Sequence, residues 1–433
     1  MQTPGESCSR RLTDRAPASR PGLLLALLFL VYALVHVLFV LSRVGAEQSD
    51  FSVFYYPAAR AVLAGRSPYF VVGLAYPPLL PFILLPLALF PAAWARLVWF
   101  ALSHAFAAAA GVRMWQVLGR SWCAALAVTG AWATSGALFE DLREGQVNTL
   151  LLLLVVFALW PAAGKPRRGP AALGVAIAVK LWPAVMLFAD AIRGRWRTIM
   201  RACAVALVLV VLPWLFVAVV LSGPPAPQRT DFWAGSPGAL NGSLPGVALR
   251  LLDPPRRGAA LPTPWVAAHN VETFRATRLQ TAVSLGVAVV FFVLGAAALA
   301  RGTRLANEPS SEQLASAAFI ALALVSAPVV WPHYHVLQLP GVAMLGERFM
   351  RRGAWARLVL LGAASLVSTW AMALILGPYL THFGLTVAHP LLVWTLTSMT
   401  PAGALAILVL LVAELNRDAR RRDPRRQGPD PRL

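Results

Sequence analysis

The sequence is short of charge, and shorter still of acid. Asp and Glu number 18 among 433 residues against 38 Lys and Arg, and charged residues make up 13% of the chain. A soluble domain carries about 25%, so that class is excluded. Cysteine is nearly absent. Cys8, Cys123 and Cys203 show no paired spacing, which excludes a disulfide framework and a cysteine-bound zinc site. There is no glycine-rich phosphate loop, no G-x-S-x-G elbow and no D-x-D pair. A nucleotide-binding loop, an α/β-hydrolase and a D-x-D enzyme acting on sugar nucleotides are therefore set aside. The net charge of +20 would suit nucleic acid, but the arginines flank apolar runs, as they do in cytoplasmic loops. No nucleic-acid partner is expected.

What the chain does have is apolar length. It is 58% hydrophobic, and its apolar residues gather into runs of about 20, enough to cross a bilayer. Runs lie near 22–41, 92–118, 122–139, 147–161, 170–189, 202–221, 279–300, 314–330, 336–345, 358–376 and 390–415. The reading is an all-α, polytopic integral membrane protein with about 11 transmembrane helices, give or take two. The first run follows Arg10, Arg11, Arg15 and Arg20 like a signal peptide. It is long and has no clean cleavage site, so a retained span is expected. Basic tails at 1–21 and 416–433 would then flank a membrane domain at 22–415, with long loops at 42–75 and 222–278.

Basic loops at 165–168, 193–201, 301–304 and 348–357, with both tails, are expected on the cytoplasmic side of the plasma membrane. That places loops 42–75 and 222–278, and the polar stretch 140–148, on the outer face. Loop 42–75 mixes apolar and polar residues at helical spacing, which predicts an interfacial helix. Strict alternation fails at 170–189, which has basic loops at both ends. Lys180 and Pro183 interrupt that run and predict a broken, re-entrant hairpin, tolerated where it lines a cavity. The proline-punctuated run at 76–90 raises the same question.

Charge inside a bilayer is costly, at least ~2.5 kcal/mol per group, and marks candidate sites. Four clusters qualify. Asp50, with Tyr55 and Tyr56, follows the first span, where a carboxylate can meet a lipid-borne and a water-borne group; its bland reading is a helix N-cap. The stretch Glu140–Asn148 is either a site or a polar loop with Asn148 as a cap. Lys180 either snorkels or meets an anion at the helix break. His333 and His335, in Trp331-Pro332-His333-Tyr334-His335, have no carboxylate or cysteine neighbours to complete a metal site. They are read as packed residues or as phosphate donors. Asn241-Gly242-Ser243 matches a glycosylation sequon, with an Asn-Gly turn as the plain alternative.

Taken in order, these residues resemble one family. Asp50 with Tyr55, Tyr56, Ala58, Ala59, Gly65, Pro68-Tyr69 and Tyr76-Pro77-Pro78 is similar to the first outer loop of polyprenol-phosphate-mannose-dependent α-1,2-mannosyltransferases. These are actinobacterial membrane enzymes of glycosyltransferase family 87, with the GT-C fold. The resemblance continues at Glu144-Gly145-Gln146-Val147-Asn148, Lys180-x-x-Pro183, Asn241-x-Ser243-Leu244 and Trp331-x-His333. It implies Asp50 as general base, with Lys180, His333 and His335 on the donor phosphate. It also implies Tyr55, Tyr56, Glu144, Gln146, Asn148, Asn241 and Trp331 as substrate-binding positions; the lack of a ligand cluster argues against an essential metal, and no cofactor is expected. The implied partners are a polyprenyl-phosphate-mannose donor and a glycolipid or lipoglycan acceptor in the bilayer. One departure stands out: Tyr334 occupies the second place of a W-x-H-H-like motif, leaving open which histidine faces substrate.

Such chemistry needs a carboxylate to take the acceptor's proton and donors for charge growing on the departing phosphate. Two other classes use the same residues. A flippase for a lipid-linked sugar predicts inverted repeats, and none is visible. An inert scaffold predicts loss of Asp50, which is present.

Overall fold

The computed structural model describes residues 49–71, 74–161, 168–227, 241–252, 277–306, 308–376 and 390–421, with positions 23, 27, 30, 31, 34 and 38. The N-terminal tail, most of the first expected span and the greater part of loop 222–278 lie outside the described residues. Among the described residues the chain is all-α. The one isolated bridge, Arg66 to Ser222, ties the first loop to the end of a later helix.

The first loop folds into a π-turn, Phe51–Tyr55, running directly into α1, Tyr56–Leu63. Phe51, Tyr55, Ala58, Ala59 and Val62 are buried while Arg60 is exposed, the one-sided pattern the spacing predicts. The 76–90 run gives only α2 (Leu79–Ile83) and α3 (Leu85–Ala88). Pro81 and Pro86 lack the N–H that a continuous helix requires.

Among the described residues four helices are long and apolar enough to cross a membrane: α4 (Ala92–Val117), α10 (Trp196–Val219), α12 (Arg278–Arg304) and the Ser398–Arg421 part of α16 (Pro390–Arg421), while α11 (Leu244–Leu252) is short. The expected span at 122–139 is two helices, α5 (Trp122–Ala133) and α6 (Gly136–Glu144), bent by 58°; counted as one, they make a fifth. Other expected spans are shorter helices, such as α7 (Asn148–Leu159) and α8 (Arg168–Val179). Twelve residues rise about 18 Å, against a hydrocarbon core of about 30 Å. The 170–189 run breaks at Lys180, giving α8, a 3-10 turn at Trp182–Val185 and α9 (Met186–Ile192).

Long and short helices play different parts. On α10 and α12, Leu207, Leu212, Val289 and Leu294 are all more than half exposed. Apolar faces of that extent belong against lipid, not water, so the chain is a multi-pass membrane protein. In α13 (Pro309–Ser326) every residue from Leu314 to Ser326 is buried. It packs against α12, α9 and α16. A 3-10 turn (Pro332–Gln338) then leads into α14 (Leu339–Arg351), followed by α15 (Trp355–Leu376), which packs along α16. At the far end of α14 from that turn, the buried Glu414 pairs with Arg352 and Arg357. The short, broken elements meet at the other end.

Candidate functional site

Asp50 stands at the head of the π-turn but makes no capping bond there. Capping falls to Ser49 and Ser52: the Ser52 N–H donates to Ser49 Oγ at 3.4 Å, and the Ser49 N–H donates in return to Ser52 Oγ at 2.9 Å. The Asp50 carboxylate is thereby left for longer-range work. The i→i+5 spacing of a π-turn also brings Asp50 and Tyr55 to one face.

One partner of Asp50 is Gln146, whose side-chain N–H donates to Asp50 Oδ2. Gln146 Oε1 accepts from Tyr55 at 2.7 Å and from Tyr76 at 3.1 Å, and the two hydroxyls lie 2.6 Å apart. Lys180 Nζ donates to the Tyr76 hydroxyl at 3.2 Å and to Asn148 Oδ1 at 3.0 Å. Asn148 Nδ2 donates in turn to Asp141 Oδ1 at 2.6 Å, and Asp141 Oδ2 accepts the Thr149 N–H at 3.1 Å. Two carboxylates, one ammonium, two amides and two phenols thus form one hydrogen-bonded assembly. Asp141, Gln146, Asn148 and Lys180 are all buried, where unpaired charge would be costly.

Gly145 makes the assembly possible. It ends α6 in the left-handed region, φ 63°, and the Gln146 N–H returns to the Asp141 carbonyl at 2.8 Å. A Cβ there would lie 2.8 Å from Phe51 Cβ, and Trp99 Nε1 donates to the Gly145 carbonyl at 2.7 Å. This reversal folds Gln146 toward Asp50 and returns Asn148 to Asp141. Asn148 begins α7 without capping it; the first-turn N–H of Thr149 is served by Asp141, a favourable place for a carboxylate.

Lys180 lies in the break after α8, its Nζ 3.9 Å from the centroid of the Tyr334 ring and 5.0 Å from that of Tyr76. Tyr334, in the position where the resembling motif has histidine, is thus a cation–π partner of the lysine. His333 packs edge-on to Tyr334, with ring centroids 4.9 Å apart. Burial, then the nearby Lys180 charge, pushes its imidazole well below the usual range, so it offers an N–H and no charge. Burial likewise raises the Tyr55 and Tyr76 phenols well above theirs, keeping both as proton donors.

Several expected positions stand apart from this assembly. His335 lies two residues on in a 3-10 turn, which turns it away from His333; it faces Gly242, whose Cβ would lie 3.5 Å from His335 Nε2. Tyr56 donates to the Phe90 carbonyl at 2.9 Å, pinning α1 to the start of α4. Glu144 pairs with Arg143 at 2.6 Å, beside Glu140. Asn241 is fully buried, donating to the Pro328 carbonyl at 2.9 Å and accepting from the Val330 N–H at 3.0 Å and the Ser243 hydroxyl at 2.8 Å. Those bonds brace the segment at 241–243 to the one before Trp331, itself half-buried at the head of the 3-10 turn.

Asp141 was not singled out from the sequence, although it lies in the quoted Glu140–Asn148 stretch. The available signal was Gly145, since a glycine between two helical segments marks a reversal that returns residue 148 to 141. Tyr76 and Tyr334 were legible only as motif letters.

The arrangement defines a helical membrane protein with a buried polar centre where a loop, a bent helix pair and a broken helix converge. The family follows from the sequence match: the model for glycosyltransferase family 87 covers residues 74–332, more than half of the chain, and the chain belongs to that family. The match takes in Asp141 through Asn148, Lys180 and Asn241, while Asp50 and His333 lie beyond its ends. No curated protein matches the chain. It is distantly similar to the crystal structure of ArnT from Cupriavidus metallidurans bound to undecaprenyl phosphate, at 16% identity, over 91% of this chain and 77% of that one, with a TM-score of 0.45. The apo structure of the same protein gives 14% identity, the same coverage and a TM-score of 0.43.

Proposed function

We propose that this family 87 glycosyltransferase is a GT-C enzyme that moves a mannosyl residue from polyprenyl-phosphate-mannose to a glycolipid or lipoglycan acceptor. The reaction takes place at the outer face of the plasma membrane. The observation that carries the reading is the assembly joining Asp50 to Lys180. It joins a carboxylate at the head of the π-turn before α1 to an amine in a helix break, the acid and the cation that transfer from a lipid phosphate would use.

In this reading the Asp50 carboxylate takes the proton of the acceptor hydroxyl. The acceptor oxygen bonds to the anomeric carbon as the bond from that carbon to the phosphate oxygen breaks. The electron pair leaves with the polyprenyl phosphate, whose added negative charge meets the Lys180 ammonium and the His333 N–H. A phosphate is a good leaving group, so no strong general acid is required. Displacement from the opposite face inverts the anomeric centre, giving an α-linked product from a β-linked donor.

The test is transfer of radiolabelled mannose from polyprenyl-phosphate-mannose to a crude glycolipid extract, in membranes holding the native chain or Asp50→Asn. Transfer by the native chain, lost at least a hundredfold (~3 kcal/mol of barrier) at equal expression in Asp50→Asn, is the expected result. Equal transfer by both chains would overturn the assignment of Asp50. If neither transfers while the lipid-linked sugar crosses the bilayer, the protein is a transporter.

A further inference from the structure

The hydrogen-bonded assembly has a direction. A lysine ammonium has three donors and no acceptor, so the bonds from Lys180 to Tyr76 and to Asn148 run outward only. Asn148 must then turn its oxygen to Lys180 and its nitrogen to Asp141; the reverse would set N–H against ammonium and carbonyl against carboxylate. Gln146 is fixed in the same way, its nitrogen on Asp50 and its oxygen on the two phenols. Tyr76, accepting from Lys180, turns its proton to Gln146, while the Tyr55 hydroxyl donates to Tyr76 or to Gln146. From Lys180 one line of donors runs through Tyr76 and Gln146 to Asp50, with Tyr55 donating into it, and another runs through Asn148 to Asp141, Asn148 Nδ2 also lying 3.5 Å from the His333 carbonyl.

Such a chain is not a proton wire, because a neutral amide does not readily hand a proton on. It is a polarising chain: each donor strengthens the next, most of all at low dielectric. Among the described residues, the charged and titratable groups that act on Asp50 across this space include Tyr55, Tyr76, Tyr334 and Lys180. Two of them, Tyr55 and Tyr76, are links of the chain, and Lys180 is its origin.

We infer that Asp141, Tyr55, Tyr76 and Gln146 are positioning residues that bind no substrate: they form a one-way donor network that ties the base Asp50 to the amine Lys180. Asp141 holds Lys180 through Asn148. Tyr76, Tyr55 and Gln146 hold Asp50 ionised and oriented. The inference rests on the proposed transfer reaction for the role of Asp50, and on the hydrogen-bond geometry alone for the coupling.

The experiment is infrared titration of the protein in lipid nanodiscs, with the Asp50 carboxylate band identified by its loss in Asp50→Asn. It is run alongside the pH profile of mannosyl transfer. Gln146→Leu removes the last donor. Tyr76→Phe removes one hydroxyl remote from Asp50 at almost constant shape, and it keeps the test open should Gln146→Leu fail to fold. The Asp50 titration is expected to move to higher pH, by about one unit in Gln146→Leu and by a smaller, measurable step in Tyr76→Phe, because a carboxylate loses support when its donors go. The acidic limb of transfer should follow. Asp141→Asn is expected to raise KM for the donor at least tenfold, with kcat less affected, through a misplaced Lys180. An unmoved Asp50 titration in folded Gln146→Leu and Tyr76→Phe overturns the network, whatever happens to activity. Shifted titrations in a protein whose native form transfers no sugar uphold the network and overturn the proposed reaction.

Discussion

The Lys180 ammonium sits 3.9 Å from the centre of the Tyr334 ring. One residue comes from the break after α8 and the other from the 3-10 turn before α14, 154 positions apart in the numbering. A desolvated cation over an aromatic face is worth about 0.5–2 kcal/mol. Tyr334→Leu is therefore expected to weaken donor use by about 2- to 30-fold in kcat/KM, while Tyr334→Phe keeps the ring and stays within about twofold of native. Steady-state transfer assays on both variants check this. Equal losses in the two would mean that the hydroxyl, not the ring face, matters.

Gly145 is expected to tolerate no side chain. Gly145→Ala places a Cβ 2.8 Å from Phe51 Cβ at φ 63°, combining steric contact with left-handed strain. The expected loss is about 1–3 kcal/mol, seen as a lower thermal midpoint in detergent. Because the same turn aims Gln146 at Asp50, transfer should fall even in the fraction that remains folded. Native-like stability and activity would show that the loop relaxes freely.

Asn241 is predicted to act on the fold and not on the substrate. Asn241→Ala removes a buried amide that bonds Pro328, Val330 and Ser243, leaving buried partners unsatisfied at about 1–3 kcal/mol each. The thermal midpoint should drop and the segment around 241–252 become more open to limited proteolysis. KM for the donor should stay within about twofold of native in protein that remains folded, since both ends of the Asn241 amide are engaged, the nitrogen by Pro328 and the oxygen by Val330 and Ser243. A large rise in KM at unchanged stability would return Asn241 to the substrate-binding set.

His335 gives the pH prediction. Its ring is buried, among the described residues neither nitrogen reaches a partner with hydrogen-bond geometry, and burial lowers its pKa from 6.5 to about 4 in spite of the nearby Gln338. Between those values the unfolded chain binds the proton and the folded one does not. Stability is therefore fully present above pH 6.5 and is lost as pH falls through about 4, by on the order of 3 kcal/mol. The native thermal midpoint should fall over that window, and part of the fall should disappear in His335→Asn. Identical slopes in the two proteins would show that His335 is not the titrating group.

The sequence by itself determined the class of this protein. Low charge, apolar runs of spanning length and arginines at their ends leave only a multi-pass helical membrane protein, because water and lipid sort side chains by polarity alone. It also marked the break at Lys180, since Pro183 cannot continue a helix, and the helix after Asp50, whose apolar spacing repeats with the helical period. Residue chemistry was enough to make Asp50 and Lys180 candidates, because charge is costly wherever the chain buries it.

Only the tertiary structure decided how those candidates relate. That Asp50 bonds Gln146 rather than capping its own helix depends on two serines satisfying the helix start. Asp141 reaches Asn148 because a left-handed glycine folds the chain back. The two histidines part because a 3-10 turn sends positions 333 and 335 to different faces. The runs that look alike as spans divide into long lipid-facing helices and short broken ones. A linear pattern records which residues avoid water, not whether lipid or protein covers them, and that depends on contacts between segments far apart in the chain.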